Sequence, residues 1–200
     1  MLIAFEGLDQ SGKETQARTC RVRLASEGRT VRALSFPDYH TPIGEEIGKA
    51  LAGDRDFGPE VMQLLYVANR FEFKPRIEMW LAAGDVVVCD RYRASSVAYG
   101  EAQGLDKTWL TTIQAPLPPA TVTVLLDIAP ETAIRRKQSG RDKYERDTAL
   151  LNRVRTSYLA QAREHDWIVI DAEGSKDDVA EAVAAALWPR LAPPSAPARS

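Results

Sequence analysis

Two hundred residues make one domain, large enough to bury a core without disulfides or structural metals. With 44% hydrophobic residues, 27% charged residues and a formal net charge of −2, the composition excludes a surface built to coat nucleic acid or an anionic membrane. No apolar run approaches the roughly 18–20 residues that span a bilayer, and the N-terminus lacks the basic-then-apolar layout of a secretory signal, so a cytoplasmic chain is expected.

The first element is a strand over Leu2-Ile3-Ala4-Phe5, followed by a glycine-rich loop, Gly7 to Thr15, and a helix from Thr15 to Glu27 that Gly28 stops. A second strand is predicted over Val31 to Phe36, then a helix carrying Ile43, Ile47 and Leu51. Pro59 suits the first turn of the next helix, which continues through Leu64, Leu65 and Ala68. Pro75 is expected to break or kink it before Ile77, Trp80 and Leu81 resume the pattern and Gly84 ends it. Further strands are predicted over Val86 to Asp90, Thr121 to Asp127 and Trp167 to Asp171, with a helical pattern at Trp109, Leu110 and Ile113 between them. A last helix, Asp177 to Leu187, places Val179, Ala182, Val183 and Ala186 at helical spacing and should cap the sheet. The Pro-, Ala- and Ser-rich tail from Ala192 to Ser200 is expected to be disordered. Cys20 and Cys89 sit in apolar patterns without metal-ligand spacing and should be buried free thiols.

The strand patterns are short and nearly continuous, as in strands buried on both faces, and they alternate with helices. The expected fold is α/β: a three-layer sandwich with a five-stranded parallel sheet, helices on both faces and a short lid. Ligands in such sheets bind beyond the carboxyl ends of the strands. Chemistry-capable residues cluster there: Gly7 to Thr15, Phe36 to Tyr39, Asp90 to Tyr92, and Asp127.

Gly7-Leu8-Asp9-Gln10-Ser11-Gly12-Lys13-Glu14-Thr15 is a phosphate-cradling loop in its required strand–loop–helix context. Its glycines let backbone N–H groups curl around phosphate oxygens, the helix N-terminus adds positive potential, and Lys13 reaches the terminal phosphates. One position departs: Glu14 stands where a hydroxyl normally ligates magnesium. Asp90, at the end of an apolar strand, either holds a hydrated magnesium or caps a turn; Arg91 either forks onto a phosphoryl group or makes a surface ion pair. Tyr66 and Arg70, four apart on one helix, read either as a base-stacking and carbonyl-binding pair or as a core tyrosine and a solvated arginine. The basic run from Arg135 to Arg146 is either a lid that closes on ATP or a solvated helix face.

Together these motifs resemble the thymidylate kinase family over nearly the whole chain, up to about Leu191. The resemblance is carried by Phe5-Glu6-Gly7-Leu8-Asp9 with Ser11-Gly12-Lys13, by Phe36-Pro37-Asp38-Tyr39 before Thr41-Pro42-Ile43-Gly44, and by Leu65 to Arg70. Asp90-Arg91-Tyr92 with Ser95 and Tyr99, and Asp142-Lys143-Tyr144-Glu145, complete it. It implies one kinase domain over 1–191, with a lid at about 136–146, that phosphorylates dTMP to dTDP with Mg-ATP. The implied ATP site is Gly7 through Thr15. The implied dTMP site is Asp9, Phe36, Tyr39, Tyr66, Arg70, Arg91, Ser95, Ser96 and Tyr99. By resemblance Asp9 holds the sugar 3′-hydroxyl, Tyr66 stacks on thymine and Arg70 bonds a base carbonyl. Ser96 lies by the far edge of the pyrimidine, and Tyr99 excludes a 2′-hydroxyl. Lys13, Arg91, Asp9 and the lid residue Arg141, with Arg136 or Lys143, are the implied catalytic set. Asp90 would hold the metal through water, with Asp9 or Glu14 as further ligands. Glu14 is expected to turn away from the phosphates with activity retained.

A homodimer is also implied, with Phe57 to Phe73 and the helix after Ser95 as candidate faces. Gln10 and Asp38 stand where many family members carry arginine, which shifts the expected transition-state charge to Lys13, Arg91 and the lid. The alternatives are another deoxynucleotide or deoxynucleoside kinase, or a catalytically silent nucleotide-binding protein.

Overall fold

The computed structural model describes residues 1–136 and 147–191. Arg136 is the one residue of the expected lid that falls within them; Arg141, Lys143 and the tail from Ala192 lie outside the described residues. Five strands, β1 (Leu2–Gly7), β2 (Val31–Ser35), β3 (Val86–Asp90), β4 (Val122–Asp127) and β5 (Ile168–Asp171), form one parallel sheet in the order β2-β3-β1-β4-β5. Among the described residues, eight helices connect and cover them: α1 (Lys13–Ser26), α2 (Pro42–Ala52), α3 (Pro59–Ala82), α4 (Arg93–Ala102), α5 (Lys107–Thr112), α6 (Pro130–Arg136), α7 (Thr148–Glu164) and α8 (Lys176–Leu191). Because β3 inserts beside β1 before the chain crosses to β4, the loops after β1 and β3 open toward the same crevice.

The central strands are apolar on both faces because both are covered. Ile3, Phe5, Val86 and Val88 join the core that contains Ala17, Cys20 and Leu24 of α1, while Leu2, Ala4, Val87 and Cys89 pack with Phe73 and Ile77 of α3. Both cysteines are free and buried, and burial pushes the Cys20 thiol up to about 12. The edge strands differ from the expected two-sided burial. In β2, Arg32, Ala33 and Ser35 are exposed, and β5 alternates buried and exposed residues, since neither has a helix layer over both faces at the sheet margin.

The break or kink expected at Pro75 does not end the helix: α3 runs unbroken for 24 residues through it. Pro75 lies on the exposed side of the helix, where its ring does not intrude on the core. Thr41 caps α2 by accepting from the Gly44 N–H at 3.0 Å, and Pro42 occupies the first turn. Gly44 has to be glycine: a Cβ there would sit 1.7 Å from the Asp38 carbonyl oxygen. That close approach seats α2 against the loop between β2 and α2, which carries Phe36 and Tyr39. Among the described residues, no helix is long and apolar enough to cross a membrane.

Candidate active site

The phosphate loop is shaped by backbone conformations that only certain residues tolerate. Gly7 has φ +141°, and a Cβ there would lie 2.4 Å from the Leu126 carbonyl oxygen, so glycine is required where β1 passes β4. Gly12, at φ +93°, is the N-cap of α1, and a Cβ built on it would point into open space where an anion can approach the helix N-terminus. The nine-residue loop does not line the groove uniformly. Asp9 to Thr15 border a groove of about 750 Å³, whereas Gly7 lies outside its lining and the Leu8 side chain is buried beneath the loop. Asp90, Arg136 and the segment Ala172 to Lys176 complete the groove, apart from Glu173.

A second cavity, of about 210 Å³, is lined by Asp9, Phe36, Tyr39, Tyr66, Arg70, Arg91, Ser95, Ser96 and Tyr99, together with Pro37, Leu51, Gln63 and Gln103. All the acceptor residues named from the sequence therefore meet in one place. Asp9, Phe36, Pro37, Tyr39 and Arg91 line both cavities, so the two spaces share that wall.

Arg91 is the most constrained residue there. It follows β3 in the left-handed region at φ +63°, with its N–H donating to the Phe5 carbonyl at 2.9 Å. Its guanidinium donates to Asp9 Oδ1 at 2.6 Å, Ser95 Oγ at 3.1 Å, Tyr158 Oη at 3.1 Å and Tyr99 Oη at 3.4 Å. Ser95 and Tyr158 are in turn anchored by Glu6, a fully buried carboxylate. Glu6 accepts from Ser95 Oγ at 2.6 Å, Tyr158 Oη at 3.2 Å and the Tyr92 N–H at 2.8 Å. The Ser95 hydroxyl is thus occupied in holding Arg91. Ser96 orients the other arginine, accepting from Arg70 Nη1 at 2.7 Å.

Sequence reasoning missed Glu6, Tyr158, Asn69 and Gln63. Asn69, fully buried on α3, pins the Phe36–Tyr39 segment: Asp38 N–H donates to its Oδ1 at 2.8 Å, and its Nδ2 donates to the Asp38 carbonyl at 3.2 Å. Glu6 carried a signal, a charged residue inside an apolar strand, whereas Tyr158 sits in an ordinary helical pattern. Asp127, a chemistry-capable strand end, is instead held by Arg155 in a two-pronged pair at 2.7 and 2.8 Å. Arg136 does reach the groove, donating to the carbonyls of Gln10 at 3.2 Å, Ala172 at 2.9 Å and Glu173 at 3.1 Å.

The charges are balanced before any ligand arrives. Burial opposes ionisation of Asp9, but Arg91 and Lys13 outweigh it and hold the carboxyl well below the usual carboxylate range. Burial pushes Asp90 up, with Glu6 and Glu14 adding repulsion against the pull of Lys13 and Arg91. Glu14 is exposed and borders the groove. Lys13 donates to the Leu8 carbonyl at 2.7 Å and lies 3.9 Å from Asp9. Burial, reinforced by the like charge of Arg91, lowers its ammonium to about 8.

That value fixes a sign. The unfolded chain keeps this proton to roughly pH 10.5 while the folded chain releases it near 8, so the folded state binds fewer protons between them. The destabilisation is complete below 8 and is relieved as pH rises through that window. Phosphate oxygens beside Lys13 reverse the shift, so nucleotide binding at about pH 8.5 should take up a proton. Calorimetry in buffers of different ionisation enthalpy should show this uptake, and Lys13→Met should abolish it.

The comparisons with known proteins agree with this geometry. The thymidylate kinase family model matches residues 5–183. Thymidylate kinase from Plasmodium falciparum is 36% identical over 178 residues, covering 88% of this chain and 84% of that protein. Thymidylate kinase from Schizosaccharomyces pombe is 32% identical over 182 residues, covering 89% and 87%. A solved thymidylate kinase structure from Candida albicans has a TM-score of 0.80 at 30% identity, over 95% of this chain and 90% of that one. With the match running along almost all of its length, and the phosphate groove sharing a wall with a base-sized cavity, the chain belongs to the thymidylate kinase family.

Proposed function

We propose that this chain transfers the γ-phosphoryl group of ATP to the phosphate of dTMP, giving dTDP and ADP for dTTP synthesis. The observation that carries the reading is the shared wall: Arg91 lines both the phosphate groove and the acceptor cavity. An acceptor phosphate is already nucleophilic, so catalysis needs positioning and charge neutralisation rather than a covalent intermediate. Lys13 and the N–H groups at the start of α1 bind the donor phosphates. Arg91, held by Ser95, Tyr158 and Asp9, orients the acceptor phosphate toward them. Asp9 and Tyr99, joined at 3.3 Å, border the space for the sugar, while Tyr66 and Arg70 border that for the base. Arg141 in the segment after Arg136, with Lys143, supplies further positive charge at the donor.

The residues fit a magnesium ion. Asp90 Oδ1 is buried without a partner among the described residues, and Glu14 borders the same groove. Asp90 would hold the ion through water and Glu14 would complete its protein ligands, phosphate oxygens supplying the rest. When bound, the ion neutralises charge on the transferred group. A Glu14 carboxylate bordering the groove would be a chemical substitute for the missing hydroxyl.

The kinase domain spans 1–191, and the protein works in the cytoplasm as a homodimer. The exposed side of α3 supports the dimer: Val61, Leu64 and Met79 are exposed there. Most of α4 is buried within the subunit, so the second candidate face is used internally. Sedimentation should give a dimer, and Leu64→Glu should convert it to monomer.

A coupled assay of ADP release with Mg-ATP, offering dTMP, dUMP, dCMP, dGMP and thymidine, tests the activity. Turnover should be fastest with dTMP, and Glu14→Ser should retain kcat within roughly tenfold. Turnover favouring thymidine, or none with any acceptor, would overturn the reading.

A further inference from the structure

A third cavity, of about 300 Å³, lies between α5, α7 and the chain that leads into β4, and it shares no lining residue with the phosphate groove or the acceptor cavity. Ala4 of β1 and Ala94 of α4 give it an apolar floor, but its walls carry Arg93, Lys107, Thr123 and Trp167. Phosphoryl transfer as derived above uses none of these side chains.

The two cations on the wall differ. Lys107, at the start of α5, is already paired with Glu164, at the end of α7, at 2.5 Å. Arg93 is half-buried, makes no ion pair among the described residues, and donates only from Nη1 to the Leu117 carbonyl at 3.3 Å. Its Nε and Nη2, the indole N–H of Trp167 and the hydroxyl of Thr123 have no hydrogen-bond partner among the described residues. None of these atoms is sealed from solvent, unlike Gln114 Oε1 on the same wall. Glu6 also borders the cavity, but its carboxylate is buried and already answered by Tyr92, Ser95 and Tyr158.

The open groups are therefore mainly donors, around one positive charge without a counter-ion and above an apolar floor. A carboxylate complements them, because it accepts two parallel bonds from a guanidinium and brings a single negative charge. A neutral ligand would bury Arg93 uncompensated, and a phosphate would bring more charge than one arginine answers. The floor asks for a flat apolar body behind the carboxylate. Arg93 also stands two residues beyond Arg91, and Tyr92 between them gives its N–H to Glu6 at 2.8 Å. A ligand that binds this arrangement stabilises it, and with it the seat of Arg91.

We propose that this cavity is a second ligand site, for a small aromatic carboxylate, whose occupancy favours the placement of Arg91 and so tightens acceptor binding. The site stands on its own lining; its coupling to the acceptor rests on the reading of the neighbouring cavity as the dTMP site.

Titration calorimetry with benzoate, in saturating ADP and dTMP so that both nucleotide cavities are filled, tests the proposal. Benzoate should bind with a Kd of about 1 mM or tighter, and benzamide, which has the same shape without the charge, roughly tenfold or more weakly. Arg93→Gln should weaken benzoate by a similar factor. Trp167→Phe, which keeps a ring and removes the N–H, should weaken it as well and serves if the Arg93 variant folds poorly. By reciprocity, saturating benzoate should lower the Kd for dTMP, by about twofold or more. No benzoate binding up to about 10 mM, equal affinity for benzamide, unchanged binding in the variants, or a dTMP Kd that does not fall overturns the proposal. So does benzoate that binds only when nucleotides are left out, since it then sits in their cavities. If dTMP itself fails to bind, the reading of the acceptor cavity fails, while the benzoate titration with ADP alone still decides this site.

Discussion

The buried carboxylate of Glu6 is the constraint on which the rest of the site depends. A charge with no exposure to water has to be met by hydrogen bonds, and Glu6 is met by three groups from distant parts of the chain: the Tyr92 N–H, Ser95 and Tyr158. Meeting that requirement brings the start of α4 and the middle of α7 against the end of β1. The two hydroxyls it captures are the ones that receive Arg91. With its backbone in the left-handed region and its guanidinium held on several sides, Arg91 has little freedom, and it stands in the wall that the two cavities share.

This arrangement also explains how two cations with little access to water coexist. Lys13 and Arg91 would repel one another, and Asp9 lies near both, 2.6 Å from Arg91 and 3.9 Å from Lys13. Asp9 stands in for the negative charge that phosphates bring, which keeps the cations in place before substrate arrives. The cost appears in Lys13, whose lowered proton affinity marks a site prepared for anions but not filled by them.

Much of this was legible in the sequence, and what was legible has a common physical character. The phosphate loop is written in backbone conformations that glycine alone adopts readily, and β1 and β3 are written in two-sided burial; both are local properties. Residues that depend on partners far along the chain left weaker traces. Tyr158 looks like any amphipathic helical residue until Glu6 is placed 152 positions away. Asn69 became meaningful only once the loop at Asp38 lay against α3. Pro75 does not end α3 because it lies on the exposed side of the helix, and β2 is not covered twice because it is an edge strand. Glu14 borders the same groove as Asp90, whose Oδ1 is unanswered, a pairing that the spacing of 76 residues between them hides in the sequence.

The central claim is that Arg91 acts as the junction between donor and acceptor rather than as a structural ion-pair partner. Single-turnover phosphoryl transfer by Arg91→Ala and Arg91→Lys, measured beside the Kd of each variant for ATP, tests it most directly. The account predicts that the transfer rate falls by about a hundredfold or more in both, since lysine lacks the guanidinium fork, while ATP affinity changes little. Transfer within tenfold of wild type in Arg91→Ala, with the fold intact, would contradict it.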